Sequence, residues 1–262
     1  MNKKESVDKI VANIKSIKIQ GARNIAKAAL QAYALLPTKE TKEKLIHARI
    51  TEPMLFHTLD NFEKIGKEKT LEHFDSAQDN INKFVFKLIK QNSIIFTHCH
   101  STNVINALVY AKKHGKKFEV YNTETRPLFQ GRRTSLELKK YKIKSTQFID
   151  SAARIAIKQA DLIFFGADAI LKSGVINKIG SGMFAEIASD EKKPVYIIAD
   201  SWKFSSVNLK IEQRSLDEIW ENAPKSIKLK NPAFEFIEKR FISKIVSELG
   251  ILSLDRFIDK IE

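Results

Sequence analysis

The chain has 262 residues, of which 43% are hydrophobic and 29% charged, so it can bury a core and is not a disordered tail. Its 45 Lys and Arg against 31 Asp and Glu give a net charge of +14, which indicates an anionic partner such as nucleic acid, an acidic protein or a phosphorylated small molecule. One cysteine excludes an internal disulfide or a CxxC site, and the absence of an apolar leader or a membrane-length stretch predicts a cytoplasmic protein without membrane contact.

The first third of the sequence has a helical pattern. Apolar residues spaced by three and four predict an amphipathic helix near the start: Val7, Ile10, Val11, Ile14 and Ile17. An Ala-rich helix follows and stops at Pro37, Thr38 is placed to cap another, and Pro53 is placed to open the next. One long helix is predicted over residues 71–88, and no strand is predicted before residue 92.

Beyond Gln91 short apolar runs alternate with helical segments. Strands are predicted at 93–98, 118–122, 145–149, 161–165 and 195–199, with helices at 103–114, 134–141, 152–159 and 181–188. Residues 231–262 are typical of one more strand and a helix capped by Ser253. The alternation predicts an α/β chain, with an all-helical domain over residues 1–92 and a doubly wound parallel sheet over residues 93–262.

Ligands of such sheets bind beyond the carboxyl ends of the strands. The segments that follow the predicted strands carry a thiol, carboxyl groups and cations: Thr97-His98-Cys99-His100-Ser101-Thr102, Asn122-Thr123-Glu124-Thr125-Arg126-Pro127, Asp150-Ser151, Gly166-Ala167-Asp168 and Asp200-Ser201-Trp202-Lys203. Two helices are predicted to start at Ser101-Thr102 and Ser181-Gly182, where free N–H groups favour anions. Cationic side chains and helix N-termini together predict a phosphate site.

Each of these residues has a simpler interpretation. Cys99 is a buried small hydrophobe or, since it lies between a strand and a helix, a reactive thiol. His98-Cys99-His100 also suggests zinc, but three adjacent residues close a tetrahedron poorly and no second cluster supplies the other ligands, so no metal is predicted. Asp168 is a turn cap or a site carboxyl, and Lys178 is a surface charge or a ligand contact.

Several motifs together resemble the family that joins sugar-phosphate isomerases to the alpha, beta and delta regulatory subunits of translation initiation factor 2B. They are Thr97-His98-Cys99-His100-Ser101, Thr123-Glu124-Thr125-Arg126-Pro127, Gln130-Gly131, Asp150-Ser151-Ala152-Ala153-Arg154, Gly166-Ala167-Asp168 and Asn177-Lys178-Ile179-Gly180. The resemblance runs from about residue 17 to the end. Within the family it is strongest to the ribose-1,5-bisphosphate isomerases. It implies a helical N-terminal domain followed by a Rossmann-like domain, as the pattern predicts.

The resemblance also implies residue roles. Cys99 matches the catalytic cysteine and Asp168 the catalytic aspartate, a pair that the regulatory subunits generally lack. The residues that it implies for substrate binding are Gln20, Gly21, Ala22, Arg23, Arg49, Ser101, Arg126, Asn177, Lys178 and Lys203. The family isomerases have arginine where this chain has Gln20, so one phosphate contact is weakened or passes to Arg23.

The implied reaction is conversion of ribose 1,5-bisphosphate to ribulose 1,5-bisphosphate, in archaeal salvage of nucleotides such as AMP. It needs ring opening and a proton moved between C2 and C1, which a thiol and a carboxyl group with separated pKa values can divide between them. We expect apolar surroundings to keep Asp168 protonated and helix N-termini to lower the pKa of Cys99. Neither a metal nor an organic cofactor is required.

Two alternatives stay open at the level of sequence. A methylthioribose-1-phosphate-type isomerase needs fewer cations, which suits the uncharged Gln20. A non-catalytic regulatory subunit would bind initiation factor 2 subunits, and the basic charge suits such a partner. For the enzyme, the expected partners are a phosphorylated pentose and further copies of the chain, as a dimer or a hexamer of paired subunits.

Overall fold

The computed structural model describes residues 2–262, and the first part of this chain is helical. Its five helices are α1 (Lys3–Lys15), α2 (Ala22–Leu35), α3 (Lys39–Ala48), α4 (Pro53–Ile65) and α5 (Lys67–Leu88). The predicted signals act as expected, since the Thr38 hydroxyl accepts from the Thr41 amide at the start of α3 and Pro53 is the first residue of α4. No strand lies within residues 2–92, as predicted.

The rest of the chain alternates strands and helices. In order they are β1 (Ser93–Thr97), α6 (Thr102–Lys113), β2 (Phe118–Thr123), α7 (Gln130–Lys140), β3 (Lys144–Phe148), α8 (Ala153–Gln159), β4 (Leu162–Phe165), β5 (Ala169–Leu171), β6 (Gly174–Lys178), α9 (Ser181–Asp190), β7 (Val195–Ile198), β8 (Phe234–Glu238), β9 (Lys244–Ser247), β10 (Gly250–Leu252) and α10 (Leu254–Ile261). The α/β class is therefore confirmed, and Ser253 caps α10 as predicted.

Seven strands form the main sheet in the order β10-β9-β7-β4-β1-β2-β3, and all neighbours are parallel except the pair β9 and β10. From β1 the chain moves outward through β2 to β3 and then returns to place β4 on the other side of β1. This reversal makes the boundary between β1 and β4 the switch point of the sheet, where the loops that leave the two strands diverge and open a crevice.

Helices cover both faces of this sheet because alternate residues of each strand point to opposite sides. On β4, Ile163 and Phe165 join a buried cluster with residues of α8, α9 and α10, whereas Phe164 joins one with residues of α5, α6 and α7. Helix α5 thus contributes Ile81 and Val85 to the second cluster and ties the helical part to the sheet. The division of the chain at residue 92 into two domains stays a prediction.

The sequence interpretation was wrong about a second sheet. No strand was predicted between residues 165 and 195, but β6 pairs antiparallel with β5 and with β8 in a separate three-stranded sheet. The polar pair Asn177 and Lys178 interrupts the apolar run, yet both residues are buried because this strand is central in its sheet. Residues 231–262 likewise hold three short strands instead of one.

The start of α7 lies against the end of β2 through Gly131. A methyl group at this position would stand 1.7 Å from the backbone oxygen of Thr123, so Gly131→Ala has to displace backbone. We expect this variant to lose about 1–3 kcal/mol of unfolding free energy in urea titrations. Leu136→Ala, at an exposed position of the same helix, is the control and should change stability by less than about 0.5 kcal/mol. Equal stability of the two variants would contradict the close approach.

Within residues 2–262 no helix is both long enough and apolar enough to cross a lipid bilayer.

Candidate active site at the switch point of the sheet

The loops after β1 and β4 bring Cys99 and Asp168 to the same crevice. Both residues line one cavity. Residues of the helical part, at and just before the starts of α2 and α4, line the same cavity. The loops come close because Gly166 has no side chain: a Cβ there would lie 2.5 Å from the Ser101 hydroxyl oxygen. Adjacent parallel strands therefore juxtapose two residues that are far apart in sequence.

Eleven of the twelve residues that the sequence singled out line this cavity. They are Gln20, Gly21, Ala22, Arg23, Arg49, Cys99, Ser101, Asp168, Asn177, Lys178 and Lys203. Arg126 does not line it: its guanidinium lies over the Phe129 ring and donates to the Ile219 carbonyl at 3.2 Å. The structure gives Arg126 a role in holding the surface loop that contains Ile219.

The backbone at Cys99 is held in an unusual conformation. Its φ of 65° lies in the left-handed region that non-glycine residues seldom occupy. Two hydrogen bonds fix it there, since the Cys99 amide donates to the Thr125 hydroxyl at 3.0 Å and the Cys99 carbonyl accepts from the Thr134 hydroxyl at 2.8 Å. Strain of this kind persists where the surroundings over-determine the position, as they do in functional loops.

The two histidines beside Cys99 hold the loop through hydrogen bonds. His98 Nε2 donates to the Ile179 carbonyl at 2.8 Å, which leaves Nδ1 to accept from the Thr123 hydroxyl at 2.5 Å. Burial lowers the pKa of His98 to about 4, so its ring is neutral at pH 7. His100 lies 3.1 Å from the Thr134 hydroxyl, and burial likewise lowers its pKa to about 4. Both neutral rings therefore hold the loop that carries Cys99 in place through hydrogen bonds.

The expectation for the Cys99 thiol was wrong in sign. Removal from water raises the pKa of Cys99 to about 11, and the nearby Lys178 charge opposes this without reversing it. Helix N-termini and cations lower a thiol pKa only when their fields exceed the cost of desolvating the thiolate. Cys99 is thus a protonated thiol at pH 7.

This protonation state predicts slow alkylation. We expect iodoacetamide to modify Cys99 at pH 7 at least about 100-fold more slowly than a free cysteine peptide, whose pKa is about 8.5. Because Cys99 is the only cysteine in the chain, mass spectrometry of the intact protein reports this one site. The rate should rise about tenfold for each pH unit toward pH 11, the range set by the raised pKa of the thiol. An alkylation rate that levels off below pH 9 would contradict the raised pKa of Cys99.

Burial shifts the pKa of Asp168 in the direction that the sequence argument expected, although cations and not apolar groups surround it. Desolvation raises the pKa of the Asp168 carboxyl, while Lys203, Arg49 and Lys178 act in the opposite direction. Lys203 is nearly buried and its Nζ donates to the Ala167 carbonyl at 2.6 Å, so the cation is fixed beside Asp168 by the backbone. Exclusion of water therefore favours the protonated form of this carboxyl, and the three cations favour its ionised form.

The cavity is electropositive. Arg23, Arg49, Arg133, Lys178, Lys203 and Arg214 line it against only two carboxyl groups, Glu52 and Asp168. Some of this charge is already paired, since Arg23 contacts Asp75 at 2.6 Å and Arg49 contacts Glu212 at 3.1 Å. The excess of positive charge nevertheless suits an anionic ligand.

Four buried polar atoms around the cavity have no hydrogen-bond partner within residues 2–262. Two are donors, Arg49 Nε and Asn177 Nδ2, and two are acceptors, Glu52 Oε2 and Gln130 Oε1. A buried polar atom without a partner costs about 1–3 kcal/mol. All four belong to residues that line the one cavity, so its wall holds both donors and acceptors that other protein groups leave unpaired.

A possible metal cluster lies elsewhere in the fold. The ligand atoms of His73, Asp200 and Glu248 lie within 4.8 Å of one another. Protein contacts already satisfy them, because His73 Nε2 bonds Asp200 at 3.0 Å and Glu248 accepts from the Ser201 amide at 3.1 Å. The cluster is explained as a hydrogen-bond network that anchors the turn before Lys203.

Comparison with known proteins fits this architecture. The sequence profile described as the Initiation factor 2 subunit family matches residues 24–254, which is most of the chain. The chain belongs to the initiation factor 2 subunit family.

Named relatives within the initiation factor 2 subunit family include isomerases. The chain is 34% identical to ribose 1,5-bisphosphate isomerase of Methanocaldococcus jannaschii, with 96% of this chain and 93% of the relative covered. It is 30% identical to methylthioribose-1-phosphate isomerase 2 of Pseudothermotoga lettingae, with 95% and 87% covered. A solved structure, the Pyrococcus horikoshii translation initiation factor eIF-2B, matches with a TM-score of 0.85 at 24% identity, covering 95% of this chain and 98% of that one. This last likeness shows the fold.

The motifs of the initiation factor 2 subunit family did not reveal four residues of the cavity. Glu52, Gln130, Arg133 and Arg214 line it, yet only Gln130 lay within a quoted motif and none was assigned a role. Their signals were weak: Glu52 precedes a helix-opening proline and looks like an ordinary helix start. Arg214 lies in a long irregular segment, where sequence pattern gives no direction to a side chain.

Proposed function

We propose that this chain is an aldose–ketose isomerase of phosphorylated pentoses that interconverts ribose 1,5-bisphosphate and ribulose 1,5-bisphosphate. The alignments with relatives named as isomerases cover more than nine-tenths of this chain, which supports the reaction class. The retained Cys99 and Asp168 support catalysis over a purely regulatory role.

The unpartnered donors and acceptors of the cavity are the observation that carries this proposal. Phosphate oxygens accept from Arg49 Nε and Asn177 Nδ2, and sugar hydroxyls donate to Glu52 Oε2 and Gln130 Oε1. Lys178 and Lys203 add charge at the same wall.

The proposed chemistry moves protons and no net electrons. The ring oxygen O4 takes a proton as its bond to C1 breaks, which leaves an oxocarbenium carbon at C1 with the phosphate still on O1. Removal of the C2 proton then gives an enol phosphate, and protonation of C1 with loss of the O2 proton gives the ketose. One group must accept a proton while another donates one. Cys99 and Asp168 divide these roles, and the bound phosphates hold the reacting carbons between them.

The direct test is turnover followed by phosphorus NMR. We expect ribose 1,5-bisphosphate to yield ribulose 1,5-bisphosphate, with kcat/KM at least about 100-fold above that for ribose 1-phosphate, because a second phosphate adds binding energy that orients the reacting carbons. Equal turnover of mono- and bisphosphorylated sugars would overturn the bisphosphate assignment.

A methylthioribose-1-phosphate isomerase is the second candidate, favoured by one observation. Gln20 lines the cavity and carries no charge at the start of α2, which leaves this end with less electrostatic attraction for a phosphate. Faster turnover of methylthioribose 1-phosphate than of ribose 1,5-bisphosphate would establish it.

A regulatory subunit would instead bind sugar phosphates without turnover and retain initiation factor 2 subunits in a pull-down. Self-association, as a dimer or a hexamer, accompanies the enzymatic proposal and is measured by sedimentation.

A further inference from the structure

Protein acceptors engage most of the positive charge on the cavity wall. Four of its cations contact a carboxylate or a carbonyl at 2.6–3.1 Å: Arg23 with Asp75, Arg49 with Glu212, Lys203 with the Ala167 carbonyl and Arg214 with Glu218. The side chains of Lys178 and Arg133 form no ion pair and no hydrogen bond with any residue in the range 2–262. The wall therefore holds two positive charges that the described chain leaves for a ligand.

These two cations lie in different surroundings. Lys178 belongs to the central strand of the small sheet and is 7% exposed. Arg133 is exposed on α7, and besides the cavity it lines an adjoining space that we call the outer hollow. The outer hollow is formed by Lys18, Ile19, Gln20, Asn24 and Arg133, of which Gln20, Asn24 and Arg133 also line the cavity. It contains two cations and no carboxyl group among the described residues.

The neighbours of Arg133 on its own helix do not account for its charge. Glu137 follows one turn later, a spacing that suits an ion pair, yet its Oε2 lies 3.7 Å from His100 Nε2 instead. The preceding Arg132 contacts Glu124 at 3.0 Å. Burial and, to a smaller extent, the Arg133 charge lower the pKa of His100, so this guanidinium lies near the loop that carries Cys99.

We propose that Arg133 binds one phosphoryl group of a bisphosphorylated ligand in the outer hollow, with Lys18 as the second cation of this subsite. The other phosphoryl group then lies in the cavity with Lys178. A guanidinium offers two parallel N–H groups that match the oxygens of a phosphate. The subsite rests on the proposed isomerase function for the identity of its ligand, and it makes Arg133 a residue that distinguishes bisphosphates from monophosphates.

The outer hollow also supplies charge at the end of the cavity where Gln20 is neutral. Arg133 reaches this end from α7, and Lys18 reaches it from the segment between α1 and α2. A sugar with phosphates at both ends uses Arg133 and Lys178 together. Methylthioribose 1-phosphate has an uncharged thioether in place of the second phosphate and would leave one of these cations unpaired. The distribution of free charge therefore favours the bisphosphate.

The subsite is tested by calorimetric titration of Arg133→Met in the Cys99→Ser background, where the sugar is not converted. We expect the Kd for ribose 1,5-bisphosphate to rise at least about tenfold, because a charged contact to phosphate is lost. Of ribose 1-phosphate and ribose 5-phosphate, the one that lacks the outer phosphoryl group should change its Kd by less than about twofold. An unchanged Kd for the bisphosphate, or an equal rise for all three sugars, would overturn the subsite.

Arg132→Met is the matched control, since it removes one positive charge from the adjacent position of α7. Arg132 is paired with Glu124 and lines neither the cavity nor the outer hollow. Its replacement should leave the Kd for ribose 1,5-bisphosphate within about twofold of the parent protein. A rise equal to that of Arg133→Met would show attraction by net charge in place of a subsite.

Kinetics distinguishes binding from chemistry in the enzyme with Cys99 intact. Arg133→Met should raise KM for ribose 1,5-bisphosphate about tenfold and change kcat by less than about threefold, because the outer phosphoryl group is held equally before and during the reaction. The effect on KM should shrink as the salt concentration rises, since exposed charges are screened. A lower kcat with unchanged KM would contradict a binding role for Arg133.

The subsite and the isomerase function fail in different ways. Binding of ribose 1,5-bisphosphate that depends on Arg133, without turnover, would refute the isomerase and leave the subsite. Turnover with the same KM in wild type and Arg133→Met would refute the subsite and leave the isomerase. A wild-type protein that does not bind ribose 1,5-bisphosphate would overturn both.

Discussion

Cys99→Ser is expected to lower kcat for the interconversion of ribose 1,5-bisphosphate and ribulose 1,5-bisphosphate by about 10²–10⁴-fold, the range for loss of one general acid–base group. A serine hydroxyl loses its proton far less readily than a thiol, even one whose pKa is raised to about 11 as that of Cys99 is. Initial rates of ketose formation, followed by phosphorus NMR, measure the effect.

Binding provides the control for Cys99→Ser. The Cys99 amide and carbonyl hold the loop through Thr125 and Thr134, and a serine retains both backbone contacts. Calorimetric titration with ribose 1,5-bisphosphate should give a Kd within about threefold of wild type, since phosphate contacts fall to other residues. Undiminished turnover in the serine variant would remove Cys99 from the chemistry.

Asp168→Asn is expected to lower kcat by a similar factor of about 10²–10⁴, because the amide neither accepts nor releases a proton near neutral pH. It should also make the protein more stable at pH 7. The folded state raises the pKa of the Asp168 carboxyl, so the folded state favours its protonated form and loses stability as the pH rises above the ordinary pKa of 3.8. Asparagine has no charge to bury. In urea titrations the variant should have a larger free energy of unfolding than the wild type at pH 7 but not at pH 3.

Isotope exchange separates the two catalytic groups. A variant that keeps the group that removes the C2 proton still exchanges that position with deuterated water, even when ketose does not accumulate. Exchange by one of Cys99→Ser and Asp168→Asn, and not by the other, would assign the base. Loss of the stability gain in Asp168→Asn would mean that Lys178, Lys203 and Arg49 compensate the charge fully.

Local pattern was sufficient for most elements of the fold. Spacing of apolar residues, the helix break at Pro37 and the cap at Ser253 correspond to the helices observed, because these signals act within a few residues of each other. Strand β6 was not recognised because Asn177 and Lys178 are polar yet buried, a combination that depends on partners in β5 and β8. Of the three strands after residue 231 only one was predicted, because β9 and β10 have four and three residues, too few to show a periodic pattern.

For the site, sequence predicted which residues meet but not their chemical state. The strand-end rule placed Cys99 and Asp168 together correctly, since carboxyl ends of adjacent parallel strands share an edge. Sequence could not show that Arg126 lies outside the cavity, because the residue before a proline is extended but its side chain has no fixed direction. Glu52 escaped notice because only folding brings it into the cavity that Cys99 and Asp168 line.

The amino-acid sequence by itself determined the order of helices and strands, the family, and the thiol and carboxyl that follow β1 and β4, because periodicity, helix breaks and motifs are properties of neighbouring residues. Only the tertiary structure decided that the thiol of Cys99 keeps its proton and that Glu52 lines the same cavity as Asp168. Proton affinity depends on how completely water is excluded and on which charges lie within a few ångströms, and both are set by the packing of segments distant in the chain.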